Sequence, residues 1–254
     1  MTILRSLIIY ASLAMSACTS QPEPQRGPVV LAASSMQEAL TEAATSWTEQ
    51  GHAAPVLSFA ASSAVARQVE SGAPADVVVT ADADWMDWLD KRGLVNAGSR
   101  RDVAGNILVL IAPRRDPQPV YSSEVEALEA LSGRLAMGEP AAVPAGRYGR
   151  EALTALGMWS RVEARVVPAE NVRAALALVE QGEAGLGIVY ASDAQASAKV
   201  AVVAQFAPDS HATITYPAAL IARSQHPDAR AFLDFLGGQQ GQAILRAHGF
   251  TAAP

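Results

Sequence analysis

The sequence predicts an α/β protein made of two doubly wound α/β lobes that are joined by two strands. Three observations carry this prediction. Short apolar segments alternate with amphipathic helical segments after residue 28, and the alternation starts again after a polar loop at 114–123. Two further strand-like segments, 106–113 and 213–221, lie where the chain would cross between the two series. Because alternating strands and helices build parallel sheets with helices on both faces, each series predicts one such sheet.

The first series contains three strands that are each followed by a helix. Val77 to Val79 has no polar residue, which is typical of a central strand buried on both faces. Ser35 is predicted to cap the first helix, and Asp82 and Asp84 are predicted to cap the third. The predicted order is strand 29–33, helix 36–50, strand 55–60, helix 63–72, strand 75–82 and helix 82–93.

The second series predicts the other lobe. Its segments are helix 123–133, strand 134–140, a turn and helix within 141–157, strand 161–168, helix 171–183 and strands 185–190 and 200–206. The chain then returns through 213–221 to two terminal helices, 227–237 and 239–249. We therefore assign residues 29–107 and 216–254 to the first lobe and residues 108–215 to the second.

The N-terminus predicts export from the cytoplasm. Arg5 precedes an apolar run from Leu7 to Met15 that is too short to span a bilayer, followed by Ser16, Ala17 and the only cysteine. Residues 1–18 resemble a bacterial lipoprotein signal, which would make Cys18 the lipidated first residue of the mature chain. A plain secretory signal is the alternative. Residues 19–28 are polar and proline-rich and predict a flexible tether.

Composition excludes several classes of function. The net charge of −6 provides no basic face for nucleic acid. No cluster of cysteine and histidine has the spacing of a metal site. A single cysteine forms no internal disulfide. Any bound anion must therefore be held by local dipoles rather than by the charge of the whole protein.

Several turns lie where a doubly wound sheet binds ligands, beyond the carboxyl ends of its strands. Helix N-termini at these turns offer unpaired N–H groups and a partial positive charge. Five residues lie at such positions: Ser35, Ser62, Ala145, Val172 and Tyr190. A lone serine at a helix start is commonly only a cap, and a lone tyrosine is commonly a core residue. The residues alone therefore indicate a two-lobed extracytoplasmic protein with candidate anion-binding turns.

Specific motifs narrow this interpretation. They are "AASSMQEAL", "FAASSAVARQVESGAPADVVVTAD", "WMDWL", "GNILVLIAP", "GEPAAVPAGRYGREAL", "AENVRAALALVE" and "LGIVYASDA". In these motifs the chain resembles the molybdate-binding proteins of bacterial ABC uptake systems, which are two-lobed periplasmic binding proteins of type II. The resemblance extends from Val29 to Thr251.

The resemblance implies a site and a function. It implies that Ser35 and Ser62 of one lobe, with backbone N–H groups of Ala145 and Val172 and the hydroxyl of Tyr190 from the other, bind a tetrahedral oxyanion. The implied ligand is molybdate or tungstate, with no cofactor and no metal bound except as the oxyanion. The implied partner is a membrane-embedded ABC permease, and the protein would be a periplasmic monomer that contacts the membrane only through its lipid.

Two alternatives stay open. The first is a binding protein for another tetrahedral oxyanion, such as sulfate. The second is a serine hydrolase that uses Ser35 or Ser62 as its nucleophile, but no histidine lies at a strand end beside these serines and no G-x-S-x-G motif occurs. We therefore expect no enzymatic activity. Three arginines near the turns are interpreted as surface residues: Arg147, Arg150 and Arg173.

Overall fold

The structure is a computed structural model that describes residues 26–254 except residue 116. It contains two five-stranded sheets with flanking helices, which confirms the predicted two-lobed α/β fold. The part built on the first sheet is called the first lobe, and the part built on the second sheet the second lobe. The predicted signal peptide, Cys18 and residues 19–25 of the predicted tether lie outside the described residues.

The first sheet is formed by strands from both ends of the described chain, in the spatial order β2-β1-β3-β10-β4. Its strands are β1 (Val29–Ala33), β2 (Val56–Ala60), β3 (Val77–Val79), β4 (Arg101–Gly105) and β10 (Thr215–Leu220). Five helices flank it: α1 (Gln37–Glu49), α2 (Ser62–Glu70), α3 (Ala83–Asp90), α9 (Ala229–Gly237) and α10 (Gln239–Ala247).

The second sheet has the spatial order β7-β6-β8-β5-β9. Its strands are β5 (Leu108–Pro113), β6 (Leu135–Gly138), β7 (Val166–Ala169), β8 (Leu186–Tyr190) and β9 (Val200–Gln205). Its helices are α4 (Glu124–Glu129), α5 (Pro144–Ala155), α6 (Trp159–Val162), α7 (Val172–Glu180) and α8 (Ala191–Gln195).

The register of the first sheet places two predicted site residues at one edge. β1 runs parallel to β2, and Ala33 at the end of β1 lies opposite Ala60 at the end of β2. Ser35 and Ser62 each follow two residues later, so both serines lie beyond the same carboxyl edge. This is the edge at which ligands bind in doubly wound sheets.

The chain passes between the two sheets twice. It leaves β4 at Gly105 and enters β5 at Leu108, and it returns through residues 206–214 from β9 to β10. β10 is antiparallel to both β3 and β4, and β5 is antiparallel to both β8 and β9, so both sheets are mixed rather than wholly parallel as predicted. The assignment of residues 29–107 and 216–254 to one lobe, and of 108–215 to the other, stays a prediction.

The sequence prediction missed β4 and placed part of another strand wrongly. β4 has no predicted counterpart, because its first two residues are charged and it is held mainly by pairing with β10. The predicted strand at 161–168 is wrong in its first half. Gly157, with φ of 67°, turns the chain into α6, and Glu163–Arg165 form a 3-10 turn before β7. Apolar and charged residues alternate there as in a strand, but Glu, Ala and Arg favour helical backbone.

The core continues from one lobe into the other. Tyr216 of β10 is fully buried, and its ring meets that of Tyr190 edge-on at 6.0 Å and that of Phe250 at 5.1 Å. Leu108, at the start of β5, belongs to the same cluster of buried side chains. The apolar contact between the lobes therefore lies directly behind the edge that carries the predicted site.

Candidate functional site

A small cavity lies between the two lobes and contains all five residues predicted to bind the ligand. The space between its walls, counted together with the part that is open to solvent, is about 200 Å³. Its lining residues are Ala33, Ser34, Ser35, Ala60, Ala61, Ser62, Ala81, Val143, Pro144, Ala145, Val172 and Tyr190. The five predicted residues are each at most 4% exposed. The structure thus brings them together, although their role as ligands stays a prediction.

Ser35 occupies a different position from the one predicted. It lies inside a 3-10 turn, Ser34–Met36, that connects β1 directly to α1. The N-cap of this turn is Ala33, and no side chain caps it. The Ser35 hydroxyl instead forms a hydrogen bond with the hydroxyl of Tyr216, at 2.9 Å. The prediction that Ser35 caps the helix is therefore wrong, because the turn begins before Ser35 and leaves its hydroxyl facing other partners.

Ser62 is the first residue of α2, and Ala61 takes the N-cap position without a side-chain hydrogen bond. The Ser62 hydroxyl oxygen accepts a hydrogen bond from the backbone N–H of Ala81 at 2.8 Å. This contact connects the start of α2 to the segment that follows β3. Ser62 lines the cavity and the adjacent Ser63 does not. The common interpretation of a serine at a helix start as a cap does not hold here.

The second lobe presents the beginning of α5 to the cavity. Pro144 is its first residue, and the N-cap residue Val143 provides no capping side chain. A Cβ on Gly146 would lie 2.1 Å from the carbonyl oxygen of Gly138, so glycine lets this helix start pack against the end of β6. The first N–H groups of a helix have no partner within the helix. The N–H of Ala145 is therefore available at the cavity wall.

The beginning of α7 is built differently. Asn171 is its N-cap, and the side-chain oxygen of Asn171 accepts from the backbone N–H of Ala174 at 2.9 Å. Val172 is the first helical residue, and its N–H lies before the group that Asn171 caps. The cap thus stabilises the helix while leaving the N–H of Val172 for the cavity.

Tyr190 contributes a buried hydroxyl without a hydrogen-bond partner to the cavity wall. It ends β8, is 1% exposed, and its hydroxyl has no hydrogen-bond partner among residues 26–115 and 117–254. Burial raises the pKa of the Tyr190 hydroxyl well above its ordinary value, with a smaller contribution from nearby Tyr216. The hydroxyl therefore keeps its proton and is a donor. Buried polar groups in folded proteins are almost always hydrogen-bonded, so a ligand at this position would supply the acceptor that the Tyr190 hydroxyl lacks.

One of the three arginines lies largely buried between the lobes, so its interpretation as a surface residue is wrong. The Arg173 side chain is only 19% exposed. Its Nε donates to Asp193 at 2.6 Å, and its other nitrogens donate to Glu38 of α1 and to the carbonyl oxygen of Ser35. Burial raises the pKa of Asp193 to about 6 in spite of this guanidinium. Asp193 in turn accepts from the backbone N–H of Tyr190 at 3.1 Å. The pattern of the sequence could not reveal this pairing across the two lobes.

Arg147 forms a second ion pair between the lobes. Its guanidinium donates to Asp82 at 3.2 Å and to Asp84. Asp82 caps α3 as predicted, by accepting from the N–H of Trp85 at 3.0 Å, whereas Asp84 pairs with Arg147 and does not cap. Burial raises the pKa of Asp82 to about 6, even though Trp85 and Arg147 lower it. The third arginine, Arg150, is exposed as predicted.

Two polar residues behind the cavity wall had no role in the sequence prediction. Asn106 donates from its amide nitrogen to the hydroxyl of Tyr216 at 3.3 Å and to that of Ser192 at 2.8 Å. Asn106 lies in the first connection between the sheets, and Tyr216 lies in β10 at the second. Their positions in the predicted crossings were the only available signal, since nothing in the sequence links residues separated by 110 positions.

The chemistry of the wall is that of neutral donors. None of the described residues that line the cavity is charged, and none is histidine. Throughout the described ranges, no group of three or more His, Cys, Asp and Glu side chains is placed to hold a metal ion. The same ranges contain no helix that is both long enough and apolar enough to cross a bilayer. None of these lining side chains is a general base that could activate a nucleophile. An anion, in contrast, would meet a set of O–H and N–H donors in this cavity.

Comparison with known proteins assigns the fold to a family. Residues 28–251 match the family model of bacterial extracellular solute-binding proteins. This chain belongs to that family. Among relatives, the solute-binding protein is 44% identical over 225 residues to the molybdate-binding protein ModA of Escherichia coli, a match that covers 87% of this chain and 88% of the relative. It is 42% identical over 226 residues to ModA of Haemophilus influenzae, covering 88% and 89%.

A solved structure of a periplasmic binding protein is similar to the solute-binding protein in fold and in sequence. The periplasmic molybdate-binding protein of Azotobacter vinelandii matches it with a TM-score of 0.81 and 26% identity, over 89% of this chain and all of the other. A likeness of this extent includes both sheets and the connections between them. The family and the two-lobed fold are therefore established by sequence and by structure together.

Proposed function

We propose that this protein captures molybdate, and also tungstate, outside the cytoplasm and delivers it to an ABC permease. The observation that carries the proposal is the convergence of Ser35, Ser62, Ala145, Val172 and Tyr190 on one buried cavity without a charged lining residue. The names of the relatives support the choice of ligand. A doubly negative tetrahedral anion fits a wall that contains donors from several directions.

Seven donors are available to the anion. Each serine offers its hydroxyl and its N–H, Ala145 and Val172 each offer an N–H, and Tyr190 offers its hydroxyl. Hydrogen bonds to charged groups contribute roughly 1.5–3 kcal/mol each, so the gross total is about 10–20 kcal/mol. Desolvation of the dianion and the ordering of the two lobes oppose this. A net of about 8–12 kcal/mol corresponds to affinities from micromolar to nanomolar.

Size favours molybdate and tungstate over sulfate. All three are dianions at neutral pH, but sulfate is smaller, so donors spaced for molybdate would lie too far from its oxygens. A sulfate-binding protein stays the alternative within the same family. Catalysis by Ser35 or Ser62 is disfavoured because the cavity wall supplies no general base.

Delivery to a permease requires that the two lobes close around the anion. Contacts between the lobes flank the cavity: the indole nitrogen of Trp85 donates to the carbonyl oxygen of Ala142 at 2.8 Å, and Arg173 joins Glu38. We propose hinge motion at the two connections between the sheets, in a protein that acts as a monomer. We also propose that lipidated Cys18 anchors it at the cell envelope, since its N-terminal sequence resembles a lipoprotein signal.

Calorimetry with molybdate, tungstate, sulfate and phosphate on the same preparation tests the function. We expect saturable binding of molybdate and tungstate with one site per chain, and weak or no binding of the other two. Ser62→Ala should weaken molybdate binding by about 1–3 kcal/mol, whereas the matched control Ser63→Ala should not, because Ser63 does not line the cavity. Tight sulfate binding without molybdate binding would favour the alternative ligand, and equal effects of the two serine variants would remove Ser62 from the site.

A further inference from the structure

Two polar residues at the connections between the sheets lie behind the cavity wall. Tyr216 is fully buried, and its hydroxyl lies 2.9 Å from the hydroxyl oxygen of Ser35. The amide nitrogen of Asn106 lies 3.3 Å from the Tyr216 hydroxyl. Neither residue lines the cavity itself. A chain of three polar side chains therefore runs from the first connection between the sheets to the anion-binding wall.

The direction of the hydrogen bonds in this chain is set at its far end. The Oδ1 atom of Asn106 accepts from the backbone N–H of Ile107 at 2.9 Å, so its amide nitrogen must face Tyr216. An amide nitrogen only donates, so the Tyr216 oxygen accepts from Asn106. Ser35 is the other hydrogen-bond partner of this hydroxyl among the described residues, so the Tyr216 proton is directed to Ser35. Ser35 then accepts from Tyr216, and the proton of Ser35 is directed toward the cavity.

Ser62 reaches the same state by a different route. A backbone N–H can only donate, and the N–H of Ala81 donates to the Ser62 oxygen at 2.8 Å. The proton of Ser62 is therefore also free to point into the cavity. Tyr190, whose hydroxyl has no other partner among the described residues, is a third donor. Every hydroxyl predicted to bind the anion is thus arranged to donate.

We propose that Asn106 and Tyr216 are positioning residues that set the specificity of the site for oxyanions that carry no proton. This inference rests on the proposed function. A protonated oxyanion such as hydrogen arsenate must donate its proton to an acceptor. If Ser35 accepted that proton, its own proton would have to turn toward Tyr216, which is held as a donor by Asn106. One buried donor would then stay unpaired, and this is strongly unfavourable.

Asn106→Asp reverses the chain without changing its shape. One carboxylate oxygen would still accept from the Ile107 N–H, and the other would accept the proton of Tyr216. The Tyr216 oxygen would then accept from Ser35, and Ser35 would present a lone pair to the cavity. The added negative charge weakens the binding of any dianion. At slightly alkaline pH, molybdate and hydrogen arsenate are both dianions, so the ratio of their affinities largely removes that charge effect.

The experiment measures this ratio by calorimetry, with hydrogen arsenate in competition against molybdate where its binding is weak. We expect the preference for molybdate to fall at least about tenfold in Asn106→Asp and roughly threefold in Tyr216→Phe, which only removes the donor to Ser35. Ser192→Ala is the matched control, because it removes the other hydrogen bond of Asn106 and leaves the chain to Ser35 intact. Its ratio should equal that of the native protein.

The outcomes separate this proposal from the proposed function. If the native protein binds no molybdate, the function fails and this inference fails with it. If the native protein binds molybdate, but both variants lose molybdate and hydrogen arsenate in equal proportion, only the specificity role is overturned. A ratio of affinities in Asn106→Asp that equals that of the native protein overturns it as well. Thermal unfolding establishes whether each variant is folded, and Tyr216→Phe decides the matter if Asn106→Asp does not fold.

Discussion

The two halves of the cavity wall are built in different ways. In the first lobe, the hydroxyls of Ser35 and Ser62 already have protein partners, Tyr216 and the N–H of Ala81. In the second lobe, the hydroxyl of Tyr190 has no partner among the described residues. The first half is therefore held in place by the fold, whereas the second half has hydrogen-bonding capacity that an anion would satisfy.

This difference gives one way in which a binding protein can couple the capture of a ligand to the closure of its two lobes. Donors of the first lobe can orient an anion in the open protein, because the hydroxyls of Ser35 and Ser62 are held by partners of the first lobe. Donors of the second lobe gain their partner only when the lobes meet around the anion. The interaction that drives closure is then made only in the closed, occupied state, as a ligand-induced shift of conformation requires.

The test with the largest expected effect removes a backbone donor of the second lobe. Val172→Pro deletes one N–H, and proline is favoured at the first position of a helix, where Val172 lies. We expect molybdate affinity to fall by about 1.5–3 kcal/mol, roughly 10- to 150-fold, because a hydrogen bond to a charged group is lost. Calorimetry measures the loss. Val172→Ala shortens the same buried side chain but keeps the N–H, so it should bind nearly as tightly as the native protein.

The second test compares one hydroxyl from each half in the protein without ligand. Ser62→Ala leaves the buried N–H of Ala81 without its acceptor and should lower the free energy of unfolding by about 1–3 kcal/mol. Tyr190→Phe removes a hydroxyl that has no partner, so the unfolding free energy should stay the same or rise. Urea unfolding of both variants gives these values. If Tyr190→Phe were the more destabilising of the two, the contrast between the halves would be wrong.

The third test concerns how the free energy of unfolding depends on pH through Asp82 of the first lobe. Burial raises the pKa of Asp82 from 3.8 to about 6, so between these values the folded protein holds a proton that the unfolded chain has released. This contribution to stability is complete below the lower value and is lost as the pH rises through the higher one. Asp82→Asn carries no charge and still caps α3, since asparagine is an equally good N-cap. Its stability relative to the native protein should therefore rise by about 2 kcal/mol between pH 4 and pH 7.

Urea unfolding across this pH range measures the difference. Asp84→Asn is the matched control, because it removes the exposed carboxylate that shares Arg147 with Asp82. Parallel pH profiles of Asp82→Asn and the native protein would show that Asp82 does not hold a proton in the folded state.

Several parts of the site followed from local sequence. The strand at 29–33 was predicted to the residue, because an unbroken apolar run between polar segments has few other solutions. Ser62, Ala145 and Val172 each lie at or within two residues of a helix start, where apolar periodicity and turn residues mark the boundary. The resemblance of the motifs then added the pairing of these turns across two lobes, which periodicity alone does not give.

Local sequence was enough to predict most strands and helices and the turns that expose unpaired N–H groups, because these depend on neighbours a few residues apart. Tertiary structure decided the rest. Arg173 meets Glu38 from 135 positions away, and Tyr216 meets Ser35 from 181. Such distant partners decide whether a hydroxyl donates or accepts toward the cavity. Each hydroxyl has one proton, and a donor bound to the hydroxyl oxygen directs that proton elsewhere.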